Sequence, residues 1–369
     1  MGAVAVALLA AAVIVVVARG GSDHGPWLIE HGFDVSTAAQ TAANAGAISE
    51  LPFDGISIKP EHNPCSAVAV DPAAAVADLA AMPDLGSVRH NFVLCRFYDN
   101  ATGDGTSPYD IGNEATWTAL TANLAAYAEA ARQSGRFDGV MIDTEYYGKG
   151  PNPWDYDTEA RPLDGVYPAE RPWQLPDEAR AAAQARGKQV ADAIREVWPD
   201  VVIFALRGVS LSDPATFDPG HLGGNQVAWA NELSGPFHMG LIESVSGTKA
   251  TYVDGGESYR QRSAADFERA VAWLATGMAD SGGPMVPSGA VSADDYKRTV
   301  SVATNVFDRD VTADLAAFSA DEVAQLLVAA RGATQTYYWF YSEQFDWRGT
   351  GHPTSPAPSD AVAALKAAR

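Results

Sequence analysis

Phe137-Asp138-Gly139-Val140-Met141-Ile142-Asp143-Thr144-Glu145-Tyr146-Tyr147 is the stretch from which the chain is read. An Asp-Gly turn pair leads into a short apolar run, which stops at two acids one residue apart, followed by two tyrosines. An apolar run of this length predicts a buried strand of a parallel sheet. Side chains alternate along a strand, so Met141, Asp143 and Glu145 share one face while Val140, Ile142 and Thr144 take the other. Two acids where a buried strand runs out are costly unless they are paired or used. At the C-terminal mouth of a parallel barrel, residues in that position read as catalytic.

Working outward, similar runs lie on both sides. Trp27 to Asp34 reads as a first strand ending in an acid, and Pro52 to Pro60 as a second with Lys59 at its end. The second repeats the Phe-Asp-Gly lead-in, and the two copies start 84 residues apart, at Phe53 and Phe137. That spacing fits two strand-helix units of about 42 residues. Asn91 to Phe97 is a third strand with Arg96 near its end, and Val201 to Gly208 a fifth with Arg207. His238 to Glu243 is predicted as strand six and Ala250 to Glu257 as strand seven, the latter closing on Asp254 and Glu257. Gln335 to Glu343, with five aromatic residues in a row, is predicted as strand eight. Helical stretches fall between the strands, one opened by Asp71 as an N-cap with Pro72 at the first helical position. The segment between Met278 and Ala320 reads as irregular chain. Strands alternating with helices predict a parallel sheet, and eight of them predict an α/β TIM-type (β/α)8 barrel with long βα loops over residues 25–369. The alternative, an open doubly wound sheet, lacks a Gly-rich phosphate fingerprint after the first strand.

The strand ends collect Asp34, Lys59, Arg96, Asp143, Glu145, Arg207, Glu243, Asp254, Glu257 and Glu343. Carboxylates, a few cations and many aromatic rings at one mouth suit glycoside hydrolysis, which needs a protonated acid at the leaving oxygen and a carboxylate as base or nucleophile. Crowded acids push their own pKa values apart. Glu145 is the expected general acid, with Asp143 beside it and Asp254 or Glu257 as the second carboxylate. Asp34, Lys59, Arg96, Tyr146, Tyr147, Arg207, Glu243, Trp339 and Glu343 are the expected substrate-binding residues. The stretch between Glu145 and Pro176 carries Trp154, Tyr156, Tyr167 and Trp173 and is long enough to be a functional loop whose rings could stack on sugars or form a small core of their own. Asp99, Asp104 and Asp110 match no calcium-loop spacing and read as a solvated loop.

With a net charge of -21 and no basic stripe, nucleic acid is not an expected partner, whereas a carbohydrate is. No metal is expected, because the seven histidines are scattered, and no cofactor is expected either. No Gly-x-Ser-x-Gly elbow supports a nucleophilic serine. Cys65 and Cys95 allow one disulfide or two buried thiols. The apolar run Ala3 to Ala18, followed by Arg19, is shorter than a membrane span needs and reads as a signal peptide or N-terminal apolar segment over residues 1–24. The expectation is a secreted or cell-envelope protein.

Asp138-Gly139-Val140-Met141-Ile142-Asp143-Thr144-Glu145 resembles the strand-four signature DGxDxDxE of the chitinase and endo-N-acetylglucosaminidase families. The resemblance implies that Glu145 is the general acid and that Asp143 orients the substrate's 2-acetamido group. Met141 stands where those families carry Asp. The stretch also resembles the DGxxxD strand of endo-galactosaminidase-like barrels. Tyr252-Val253-Asp254-Gly255-Gly256-Glu257-Ser258-Tyr259 and Trp339-Phe340-Tyr341-Ser342-Glu343 resemble secreted bacterial barrel proteins grouped with the glycoside hydrolases. That resemblance implies that the acids of both stretches belong to the site, and it brings no established substrate. The competing functions are a non-catalytic carbohydrate-binding barrel and a different barrel enzyme, such as a lyase or a metal-dependent hydrolase.

Overall fold

Alternation along the strands sorts the side chains into two shells, and the sheet closes so that one shell lies inside it. The computed structural model describes residues 26–97, 109–146, 154, 177–209, 233–280, 291–351 and 356–368. Its strands are β1 (Trp27–Gly32), β2 (Gly55–Ile58), β3 (Asn91–Arg96), β4 (Phe137–Asp143), β5 (Val202–Ala205), β6 (Thr251–Asp254), β7 (Val300–Val302), β8 (Thr304–Phe307), β9 (Arg309–Asp310), β10 (Ala316–Ala317) and β11 (Tyr337–Ser342). β9 and β10 pair with each other, antiparallel. The other nine pair side by side, all parallel, in the order β7-β6-β5-β4-β3-β2-β1-β11-β8. β7 and β8 stand at opposite ends of that order, yet only Ala303 separates them in the chain. They are two halves of one stave, the first pairing with β6 and the second with β11. The sheet therefore closes into an eight-stave TIM-type (β/α)8 barrel.

The inner shell holds Ile29, Phe92, Leu94, Met141, Phe204, Val253 and Trp339. The outer shell, with Ile56, Val93, Val140, Ile142, Ile203 and Tyr252, packs beneath the helices. Met141 fills the barrel core directly below Asp143, which accounts for an apolar residue at that position of the motif. The Phe-Asp-Gly repeat has a structural explanation. A Cβ on Gly55 or Gly139 would sit 1.8 Å from a neighbouring backbone oxygen, of His90 and Val202 respectively. Asp54 accepts the Leu28 N–H at 2.8 Å, and Asp138 bonds His90 at 2.7 Å and the Tyr337 hydroxyl at 2.9 Å.

Two of the eight predicted strands are reassigned. His238 to Glu243 is not a strand. It belongs to the helix Ser234–Val245, which is buried on almost all sides between the barrel and the helix Asp177–Val197. Gly187 and Gly240 let the two helices approach until a Cβ on either would meet the other's backbone within 2 Å. A helix buried all round shows no amphipathic period, so its short apolar run cannot be told from a strand. The seventh stave comes instead from β7 and β8, where irregular chain was expected, and the predicted seventh strand is the sixth stave. Cys65 and Cys95 form a disulfide that ties the segment after β2 to the end of β3. Among the described residues, no helix is long and apolar enough to cross a membrane. The apolar run at residues 1–24 lies outside the described residues.

Candidate active site

β3, β4, β5 and β6 all run out at the same end of the barrel, and the residues at their C-terminal ends face one another across a cavity of about 380 Å³. Arg96, Asp143 and Arg207 line it from the strand ends, with Glu145 just beyond β4 and Glu257, Ser258, Tyr259 and Arg260 just beyond β6. His31, Phe33, Phe307, Val311, Tyr341 and Glu343 complete the wall on the β1, β8 and β11 side. The expected common face of Met141, Asp143 and Glu145 is therefore the inward face, which opens from barrel core to cavity between Met141 and Asp143.

Asp143 is buried at the cavity floor. Its Oδ1 accepts the Glu145 backbone N–H at 2.9 Å, which fixes the turn out of β4. Its Oδ2 lies 3.9 Å from Arg96 Nε. Burial pushes the Asp143 carboxyl up to about 6, with Glu145 adding to the rise and Arg96 opposing it. Glu257 is pushed up to about 8, first by burial and then by the negative charges of Glu145 and Asp143, against the pull of Arg207 and a hydrogen bond from Tyr259. The Tyr259 hydroxyl donates to Glu257 Oε1 at 2.6 Å. Asn305 holds the loop that carries both residues. Its Nδ2 donates to the Gly255 and Gly256 carbonyls at 3.2 and 2.6 Å, and its Oδ1 accepts the Tyr259 N–H at 3.0 Å. Gly256 and Tyr259 both take positive φ, at 59° and 55°, so the loop is tightly wound. Trp339 donates its indole N–H to the Gly255 carbonyl at 2.8 Å from inside the barrel.

Several expected site residues lie elsewhere. Asp254 falls on the outward face of β6 and is buried there. Its carboxyl packs on Gly208, where an added Cβ would come within 2.1 Å of it, and it accepts the Gly256 N–H at 3.0 Å. One residue of alternation separates it from the cavity. Asp34 is past the end of β1 and accepts the backbone N–H groups of Trp347 and Arg348 at 2.7 and 3.1 Å. Together with Glu30 it surrounds the fully buried Arg348 on the outside of the barrel. Glu243 sits in the helical layer, accepting from Gln184 Nε2 at 3.0 Å. Lys59 is exposed beyond β2 and does not line the cavity. Trp339 lies below the cavity, and Tyr146 packs beside Tyr109 against the outer core, their rings 6.3 Å apart. Trp154 is buried among Phe97, Trp117 and Phe237 rather than offered to a ligand. Tyr147, Tyr156, Tyr167, Trp173, Asp99 and Asp104 lie outside the described residues, and Asp110 accepts the Gly112 N–H at 2.7 Å in a local turn. Glu343 does line the cavity, 3.4 Å from Arg309.

Sequence reading missed His31, Phe33, Tyr259, Arg260, Phe307 and Tyr341. The signal for His31 was present, since it follows inward-facing Ile29 by two residues. Its Nδ1 bonds Ser57 Oγ at 2.9 Å, and burial with the Arg96 and Arg348 charges holds its pKa well below the usual value. Tyr259, Phe307 and Tyr341 form an aromatic wall, with ring separations of 5.0 to 5.7 Å, and Phe33 stands at its rim, 46% exposed. Among the described residues, no group of three or more His, Cys, Asp or Glu side chains is arranged to hold a metal ion.

No family model matches the chain, and no curated protein sequence matches it. Among solved structures, it is similar to a GH5-4 broad specificity endoglucanase from an uncultured bacterium, with 12% identity over 93% of each chain and a TM-score of 0.48. It is also similar to GH5_18 from Streptomyces cattleya in complex with GlcNAc, with 12% identity over 93% of this chain and 88% of that one, at a TM-score of 0.47. A β-mannanase from the blue mussel Mytilus edulis shares 12% identity over 92% of this chain and 91% of its own, at a TM-score of 0.44. At such identities and TM-scores these likenesses say nothing about the substrate of this chain.

Proposed function

We propose that the chain is a glycoside hydrolase that cleaves a glycosidic bond of a poly- or oligosaccharide at the C-terminal mouth of the barrel. The observation that carries the reading is the clustering of Asp143, Glu145 and Glu257 in one cavity, with Glu257 pushed to about 8. A carboxyl that keeps its proton at neutral pH beside other acids is the arrangement that acid/base cleavage of a glycoside needs. The resemblance assigns the acid role to Glu145. The electrostatics favour Glu257 for it instead. In this scheme Glu257 gives its proton to the leaving oxygen, and Glu145, two staves away beyond β4, acts as base or nucleophile. Asp143 fixes the Glu145 backbone, and Arg96 and Arg207 offset the negative charge of the cluster. The wall of Tyr259, Phe307 and Tyr341 offers apolar faces against which a sugar ring can stack. The disulfide suits an oxidising compartment, which supports export, as does the N-terminal apolar run.

The test is a screen of polysaccharides and aryl glycosides with wild type, E145Q and E257Q. E145Q is expected to lose turnover on every substrate. E257Q is expected to lose turnover on natural glycans but to retain it on aryl glycosides whose leaving group needs no protonation. Wild-type rates in both variants would remove the assignment. Binding of a glycan by calorimetry with no product from the wild type would turn the reading to a carbohydrate-binding barrel.

A further inference from the structure

Thr144 sits between Asp143 and Glu145 with its side chain on the opposite face, buried behind the cavity. Its Oγ1 lies 3.2 Å from His238 Nε2 and 3.5 Å from the Arg207 carbonyl oxygen. His238, fully buried on the helix Ser234–Val245, places its other ring nitrogen, Nδ1, 3.0 Å from the Tyr252 hydroxyl on β6. The Val209 backbone, just beyond β5, also hydrogen-bonds that hydroxyl. Burial and the Arg207 charge hold His238 down to about 3, so the ring is neutral wherever the cavity carboxyls titrate. A neutral imidazole has one N–H and one lone pair. The Tyr252 phenol donates to Nδ1, Nε2–H donates to Thr144, and Thr144 donates to the Arg207 carbonyl. This one direction satisfies every member.

We infer that Thr144, His238 and Tyr252 form a positioning relay that sets, from behind the cavity, the spacing of the β4, β5 and β6 ends carrying Asp143 and Glu145, Arg207 and Glu257. His238 touches no cavity atom in this scheme and carries no proton to substrate. It acts by holding Thr144, and through it the turn between the two β4 acids. The inference rests on the glycosidase reading for its catalytic consequence but not for its geometry.

T144V removes the hydroxyl at nearly constant volume, and H238F removes both ring hydrogen bonds while keeping bulk. T144S and H238Q restore a hydroxyl and an amide donor. The expected result for T144V and H238F is a fall in kcat of about tenfold or more per folded molecule with KM unchanged, because a small misplacement of reacting groups costs rate more than binding. T144S and H238Q are expected to recover most of it. Carboxyl-carbon NMR titration needs no substrate, and Glu257 is expected to titrate about half a pH unit away from wild type in T144V as its distance from Asp143 and Glu145 changes. If T144V keeps both the wild-type kcat and the wild-type Glu257 titration, the relay is overturned, whatever happens to its melting temperature. If the wild type cleaves no glycan, the function proposed above fails, and the titration of Glu257 alone decides the relay.

Discussion

Glu257 makes the site testable through stability alone. Its carboxyl has an ordinary value of 4.5 and is pushed to about 8 in the fold. A carboxyl raised in the folded state stabilises the fold fully below its unfolded pKa, and that contribution is lost as pH rises through the folded value. Wild type should therefore lose stability between about pH 5 and pH 9 from this group. The full linkage from 4.5 to 8 would be worth at most about 5 kcal/mol. Glu257 keeps one edge open to the cavity, and screening there reduces the expectation to about 2–3 kcal/mol. E257Q abolishes the titration while its amide oxygen can still accept from Tyr259. In urea denaturation at a series of pH values, the two proteins should be similar near pH 5, and E257Q should become the more stable by about 2–3 kcal/mol near pH 9. Parallel curves across that range would mean that Glu257 is an ordinary ionised carboxylate, and the assignment of the acid role would fall with it.

Other perturbations probe the same cluster and its frame. E145Q removes the strongest neighbouring charge on Glu257, and NMR titration should show Glu257 falling by about one pH unit. R96M takes away the cation that opposes the rise of Asp143, so in the same NMR titration Asp143 should titrate above its present value of about 6. R348M leaves Glu30 and Asp34 buried without their cation. It should cost about 3–5 kcal/mol in denaturant unfolding, with the loss smaller in acid, where the two carboxyls take up protons. N305L deletes three hydrogen bonds to the loop that carries Glu257. It should lower kcat on any substrate found for the wild type by more than its loss of stability explains, and an unchanged kcat would show that Trp339 and Tyr259 hold the loop unaided.

The fold and half of the site were legible in the chain for one reason: period-two alternation survives wherever a strand is followed by a helix of its own. It put Asp143 on the inward face of β4 and Glu145 on the same side just beyond it, and the repeated Phe-Asp-Gly marked two strand starts where glycine is required by a backbone oxygen at 1.8 Å. It identified the barrel although two of the predicted strands needed reassignment, because β7 and β8 supplied the stave that the helix Ser234–Val245 did not. The sequence also named Glu257 but could not separate it from Asp254. That choice depends on where β6 ends and how Gly255 and Gly256 wind the chain, and positive φ at Gly256 and Tyr259 leaves no periodic trace. Asp34, Glu30 and Arg348 show the same limit. Their charges meet across more than 300 residues, and only the closed barrel with the C-terminal segment against β1 decides that Asp34 belongs to a buried ion cluster rather than to the cavity. Local pattern determines which residues a strand can present, whereas desolvation and the approach of distant charges, which set the proton on Glu257, exist only once the staves have closed.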